Sequence, residues 1–135
     1  MPLAIVSPHA FEPQPTFDLH APDGFFSVPV ALIMWVVAIL VIAISVRRAG
    51  RSFDERAIPL MGVTAAFIFA AQMINFPVVG GTSGHLLGAV LVAVLLGPWA
   101  GTLVMASVIA VQSLLFQDGG LLAMGANIVN MGLIG

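Results

Sequence analysis

The chain has 135 residues, of which 60% are hydrophobic and 7% charged, with four Lys and Arg against six Asp and Glu. Soluble domains run about 45–50% apolar and about 25% charged, so this composition excludes a water-soluble globular domain and makes the bilayer the solvent. The absence of cysteine excludes disulfides and thiolate metal sites, and four basic residues build no face for nucleic acid.

Residues 1–18 carry Pro2, Pro8, Pro13 and Pro15 and no basic residue. They lack the basic start and continuous apolar core of a signal peptide and are expected to form a disordered extension, with His9 incidental in it. The membrane domain is expected over residues 19–135. Its first span covers about 27–46. From Val28 to Val46 no side chain ionises, and a helix of that stretch rises about 28 Å, close to the ~30 Å hydrocarbon core. Arg47, Arg48, Gly50 and Arg51 end it.

The second span, about 58–75, is opened by Pro59 and stopped before Pro77, and the glycine-rich turn 80–84 follows. The third, about 84–96, is short for a crossing and ends at Gly97-Pro98. The fourth covers about 101–116. The fifth starts near Leu121 and still runs at Gly135, so the chain is expected to end within an element, as a fragment would. Together these predict a compact all-α integral membrane bundle of about five transmembrane helices. Small residues at 62, 66 and 70, and the pair Gly84 and Gly88, predict close helix contacts.

All four basic residues, Arg47, Arg48, Arg51 and Arg56, fall in one loop. The positive-inside rule places that loop in the cytoplasm and the N-terminus outside. Alternation of the spans then brings His20, Asp23, His85 and Asp118 to the outer face.

Those polar groups leave two readings open. His85 is either a helix-start histidine bonded to a carbonyl or a functional group, as ionisable residues in membrane helices often are. His20 and Asp23 flank a Pro-Asp-Gly turn, with the histidine either incidental or sharing a ligand with His85. Gln72 with Asn75, and Asn127 with Asn130, stand three apart on their helices, as ties between helices or as supports around a ligand. Gln112 reads as helix–helix glue, Asp118 as a turn aspartate on its own backbone, and Thr82 and Ser83 as caps of the third helix.

The stretch from Ile58 to Val78 and the run Gly80-Gly81-Thr82-Ser83-Gly84-His85-Leu86-Leu87-Gly88 resemble the CbiM/NikM family, the metal-binding membrane subunits of energy-coupling factor (ECF) transporters. Leu96–Ala100, Phe116–Leu121 and Gly125–Gly132 resemble it too. The resemblance implies uptake of Co²⁺ or Ni²⁺, no catalysis and no permanent cofactor. It implies a membrane coupling subunit, separate ATPase subunits and a small CbiN/NikN-type accessory subunit as partners, in the plasma membrane. It also implies a nearly square-planar set of nitrogens: the imidazoles of His20 and His85, the His20 amide, and a terminal amine at Leu19 if the chain starts there. In-plane nitrogen donors favour metals with tetragonal geometry. Gln72, Asn75, Ser83, Asn127 and Asn130 become supports for those ligands.

Two departures from the family pattern stand out. A chain starting at Met1 has no free amine at Leu19, which suggests a misplaced start codon or removal of residues 1–18. Family members also continue through further membrane helices. Two other classes compete. Gly81-Thr82-Ser83-Gly84 matches the G-x-S-G of intramembrane serine proteases, but no histidine follows His85 to serve Ser83 as base. A structural helical protein without ligand would leave the clustered histidines and amides unexplained.

Overall fold

The computed structural model describes residues 20–51, 57–74, 76–78 and 82–135. In chain order these form α1 (Val28–Ala49), α2 (Ala57–Met73), a hairpin of β1 (Phe76–Val78) and β2 (Thr82–Gly84), α3 (Ala89–Leu96), α4 (Pro98–Leu115), α5 (Met124–Asn127) and a π-helical segment, Ile128–Ile134. The helical membrane architecture expected from composition is present. The hairpin is the added feature, antiparallel with Phe76 opposite Gly84.

Position in the bundle separates two helices of similar composition. In α1 only Ala31, Ala38, Ser45 and Ala49 are buried. The first three recur every seven residues as a narrow seam of small side chains, Met34, Trp35, Val37 and Ile42 pack half-buried against the core beside it, and the other side of the helix points outward as a lipid-facing one would. α4 is the central helix and packs against α1, α2, α3 and the π-helical segment. Its Met105 and Ile109 join Ile68, Val92 and Ile128 in the core.

α2 corrects one expectation. Its buried residues are Thr64, Ile68 and Gln72, one every four positions, so the row of Gly62, Ala66 and Ala70 lies on the opposite side and is exposed. The third stretch differs more. Helix α3 begins only at Ala89, after a left-handed Gly88 with φ of 81°. Its eight residues rise only about 12 Å. Gly84 and Gly88 therefore do not share a helix, and Thr82 and Ser83 lie in β2, away from the N-cap of α3, which is Gly88. Positive φ at Gly88 breaks any helix that would otherwise start at Gly84 and leaves His85 on extended backbone.

One crossing depends on a missing side chain. A Cβ on Gly125 would stand 2.7 Å from Trp35 Cα, so α1 and α5 touch backbone to backbone. Trp35 Nε1 then reaches the Leu121 carbonyl at 3.1 Å. At the far end of α1, Arg48 stacks 5.6 Å from the Trp99 ring. The 22 residues of α1, about 33 Å of helix, separate that arginine end from the segment holding His20. Arg56, Leu19, His9 and the expected extension 1–18 lie outside the described residues.

Candidate metal centre

The segment before α1 forms the turn that Pro22-Asp23-Gly24 predicts. Phe25 N donates to Pro22 O at 3.2 Å and Gly24 has φ of 90°. The Asp23 carboxylate does more than shape that turn. Oδ1 accepts the N–H groups of Leu122 (2.7 Å) and Ala123 (3.1 Å), and Oδ2 accepts Leu121 N (3.1 Å). These donors precede α5 and have no intrahelical partner, so the carboxylate caps that helix from about 100 residues away in sequence.

Asn127 grips the next peptide from the other side. Its Oδ1 accepts Ala21 N at 3.1 Å and its Nδ2 donates to Ala21 O at 3.2 Å, and Gly120 N also donates to Ala21 O. Asn130 shares none of these bonds and is exposed, although the two amides stand three apart. Asn130 nevertheless lines, with His20, Ala21 and Asn127, one open cavity beside the His20 segment.

The loop 117–120 closes over His20. Gln117 has φ of 55° and Gly119 φ of 91°. A Cβ on Gly119 would lie 2.7 Å from His20 Cβ, and one on Gly120 would collide with the Asp23 carboxylate. Only glycine permits this approach. His20 is consequently 4% exposed, with its Nδ1 3.3 Å from Asp118 Oδ1. Asp118 thus corrects the expectation of a turn aspartate serving its own backbone: its carboxylate faces His20. The reversal at Gln117, invisible to composition, aims it there.

His85 arrives on the extended stretch after β2, partly exposed, with Nδ1 3.1 Å from Leu86 O. Its ring centre stands 6.5 Å from that of His20, tilted by 41°. Two imidazoles on one metal at nitrogen distances of about 2.0–2.1 Å have ring centres about 4.5 Å apart in adjacent square-planar positions and about 6.5 Å apart in opposite ones. The two rings therefore stand at the outer limit for a common ion, and adjacent ligation requires them to close by about 2 Å. The stretch is anchored by Gln72, whose Nε2 donates to Leu87 O at 2.6 Å, and Gln72 Oε1 accepts from Gln112 at 3.0 Å.

Five residues singled out by sequence are therefore placed with unequal results. His20, His85, Asn127 and Gln72 gather at one end of the bundle, and Asn130 does not join their bonds. Leu19 and Asn75 lie outside the described residues, and Ser83 pairs through its backbone with Pro77 in the hairpin. Among the described residues no three His, Cys, Asp or Glu groups cluster at metal-holding spacing. Sequence reasoning missed Asp118 and the reach of Asp23. The glycines that follow each, Gly119-Gly120 after Asp118 and Gly24 after Asp23, were the available signal.

Residues 20–135 match the family model described as the cobalt uptake substrate-specific transmembrane region. The chain belongs to the CbiM family. A protein of Haloquadratum walsbyi, described as a metal transport protein, is 42% identical over 86% of this chain and 53% of its own length. One of Archaeoglobus fulgidus, described as a fused nickel transport protein NikMN, is 43% identical over 86% of this chain and 38% of its own. The crystal structure of a truncated transition metal transporter superposes with a TM-score of 0.79 at 39% identity, covering 85% of this chain and 54% of that one. The chain thus spans about half the length or less of these CbiM relatives. Their names speak of transport, not hydrolysis, and leave the protease reading of Ser83 without support.

Proposed function

We propose that this chain is the metal-binding portion of the substrate-binding subunit of an ECF-type transporter that imports cobalt or nickel ions across the plasma membrane. The observation that carries the reading is the 6.5 Å approach of the His20 and His85 rings, brought about by residues distant in sequence within a CbiM-family chain. The cargo ion binds at the outer face through the two imidazoles and the His20 amide. The amine of Leu19 completes the set where the chain starts at that residue. Asn127 holds the peptide after His20 and Gln72 holds the one beyond Leu86, which is how ligand-orienting groups act. Because the ligand nitrogens must shed protons to bind metal, affinity falls as pH is lowered.

Chemistry other than binding resides elsewhere. ATP hydrolysis belongs to separate subunits working through a membrane coupling subunit, and the fused nickel transport relative supports an accessory subunit of the CbiN/NikN type. The test is calorimetric titration of Ni²⁺ and Co²⁺ into the detergent-solubilised chain, both as it stands and started at residue 19 as methionine. One-to-one binding lost in His20→Ala and in His85→Ala is the expected result. A well-folded parent that binds neither ion in either form sinks the reading. Tight binding by the form that retains residues 1–18 removes the terminal amine from the ligand set.

A further inference from the structure

Gln112 sits one turn before the end of α4 and is fully buried, as is Gln72 on α2. Its side chain and its main chain serve different loops. The side-chain Nε2 donates to Gln72 Oε1, and Gln72 Nε2 donates to Leu87 O, two residues from His85. The main-chain carbonyl of Gln112 accepts the N–H groups of Phe116 and Asp118, both at 3.1 Å. The neighbouring Ser113 hydroxyl donates to Asp118 O at 3.4 Å, and the Asp118 carboxylate faces His20. A single residue therefore touches the anchors of both histidine-bearing segments.

Simple helix–helix glue is a poor account of this arrangement. Burying an amide in an apolar interior costs about 1–3 kcal/mol where its hydrogen bonds are incomplete. Gln112 Oε1 is buried without a hydrogen-bond partner among the described residues. A leucine or methionine would join α2 to α4 without that cost. What the amide adds is direction, since its N–H fixes the rotation of Gln72, which fixes the height of the Leu87 carbonyl. Building on the metal-binding reading above, we infer that Gln112 is a positioning residue for the metal centre, setting through Gln72 the distance between the His85 segment and the Asp118–His20 contact.

The test uses the full chain in detergent, with Ni²⁺ alone as the calorimetric probe and Cu²⁺ alone for electron paramagnetic resonance. Gln112→Met keeps the volume and removes the donor. Its Kd for Ni²⁺ is expected to rise about tenfold to a hundredfold, the range for ligand-orienting partners, with altered copper hyperfine splitting. Met105→Ala, two turns earlier on α4 and in the core, is the control for general destabilisation. It is expected to lower the melting temperature while leaving Kd and spectrum at parent values. Parent-like Kd and spectrum in Gln112→Met overturn the inference and leave the metal reading standing. So does an equal loss in Met105→Ala. A parent that binds neither probe overturns the metal reading and the inference together. Should Gln112→Met not fold, the double variant Gln72→Met/Gln112→Met removes both partners, an exchange that is often nearly neutral for stability. It leaves Leu87 O unanchored, so the same weakening is expected, and parent-like binding in it overturns the inference.

Discussion

The two histidines are held in opposite styles. His20 is buried beneath a glycine loop, and the residues after it are clasped by Asn127 and locked by the Asp23 carboxylate. His85 is partly exposed on extended backbone, and among the described residues its segment is tied to the bundle through Leu87 and one amide chain. On the metal-binding reading proposed above, the difference separates a fixed half of the site from an adjustable one. A ligand bolted to the scaffold sets the geometry, and a ligand on a lightly tied strand can approach and leave it.

The comparison can be broken most severely at Gly119. Gly119→Val adds a Cβ at a left-handed position 2.7 Å from His20 Cβ, and overpacking of this kind costs about 1–3 kcal/mol beyond the backbone strain. Complete loss of Ni²⁺ binding by calorimetry is expected, with a lowered melting temperature. Next in size is Asn127→Leu, which frees Ala21. Weakening of metal binding by about tenfold to a hundredfold is expected, and parent affinity would show that the fixed half holds without its clasp. Asp23→Ala removes a cap, so a stability loss of about 1–2 kcal/mol in denaturant unfolding is expected.

Smaller effects sharpen the contrast. Backbone amides of Leu122 and Ala123, bonded to Asp23, are expected to exchange with deuterium more slowly than those of His85 and Leu86, since exchange follows local opening. Equal rates would erase the distinction between the halves. Gln117→Gly relieves a left-handed strain of about 1–2 kcal/mol at most. It is expected to leave stability unchanged or slightly raised while loosening the aim of Asp118, read as a modest rise in Kd.

Much of this was legible in the residues themselves. The apolar run from Val28 to Val46, the arginine cluster that ends it and the proline and glycine breakers announce a membrane bundle and most of its helices, because hydropathy and φ restriction are local properties. The motif around His85 and the turn at Asp23 mark where the site lies. Helix length was less legible at the third stretch, where Gly84 to Leu96 is uniformly helix-compatible and only the positive φ at Gly88 delays the helix to Ala89. Which face of α2 is buried was also hidden. Small residues and apolar ones are equally at home in lipid, so a row such as Gly62, Ala66 and Ala70 carries no sign of its direction.

By itself, then, the sequence determined that the chain lives in a membrane, where most of its helices break and which polar residues need a reason to be there. These follow from transfer energies and backbone sterics, which each segment carries alone. The tertiary structure decided the rest: that Asp118 faces His20, that Asp23 caps a helix about 100 residues away, that Asn127 and not Asn130 clasps Ala21, and that Gln112 lies between the two segments that carry the histidines. Each of those depends on segments far apart in the chain meeting at a set distance, and no local pattern encodes a distance between segments that only packing brings together.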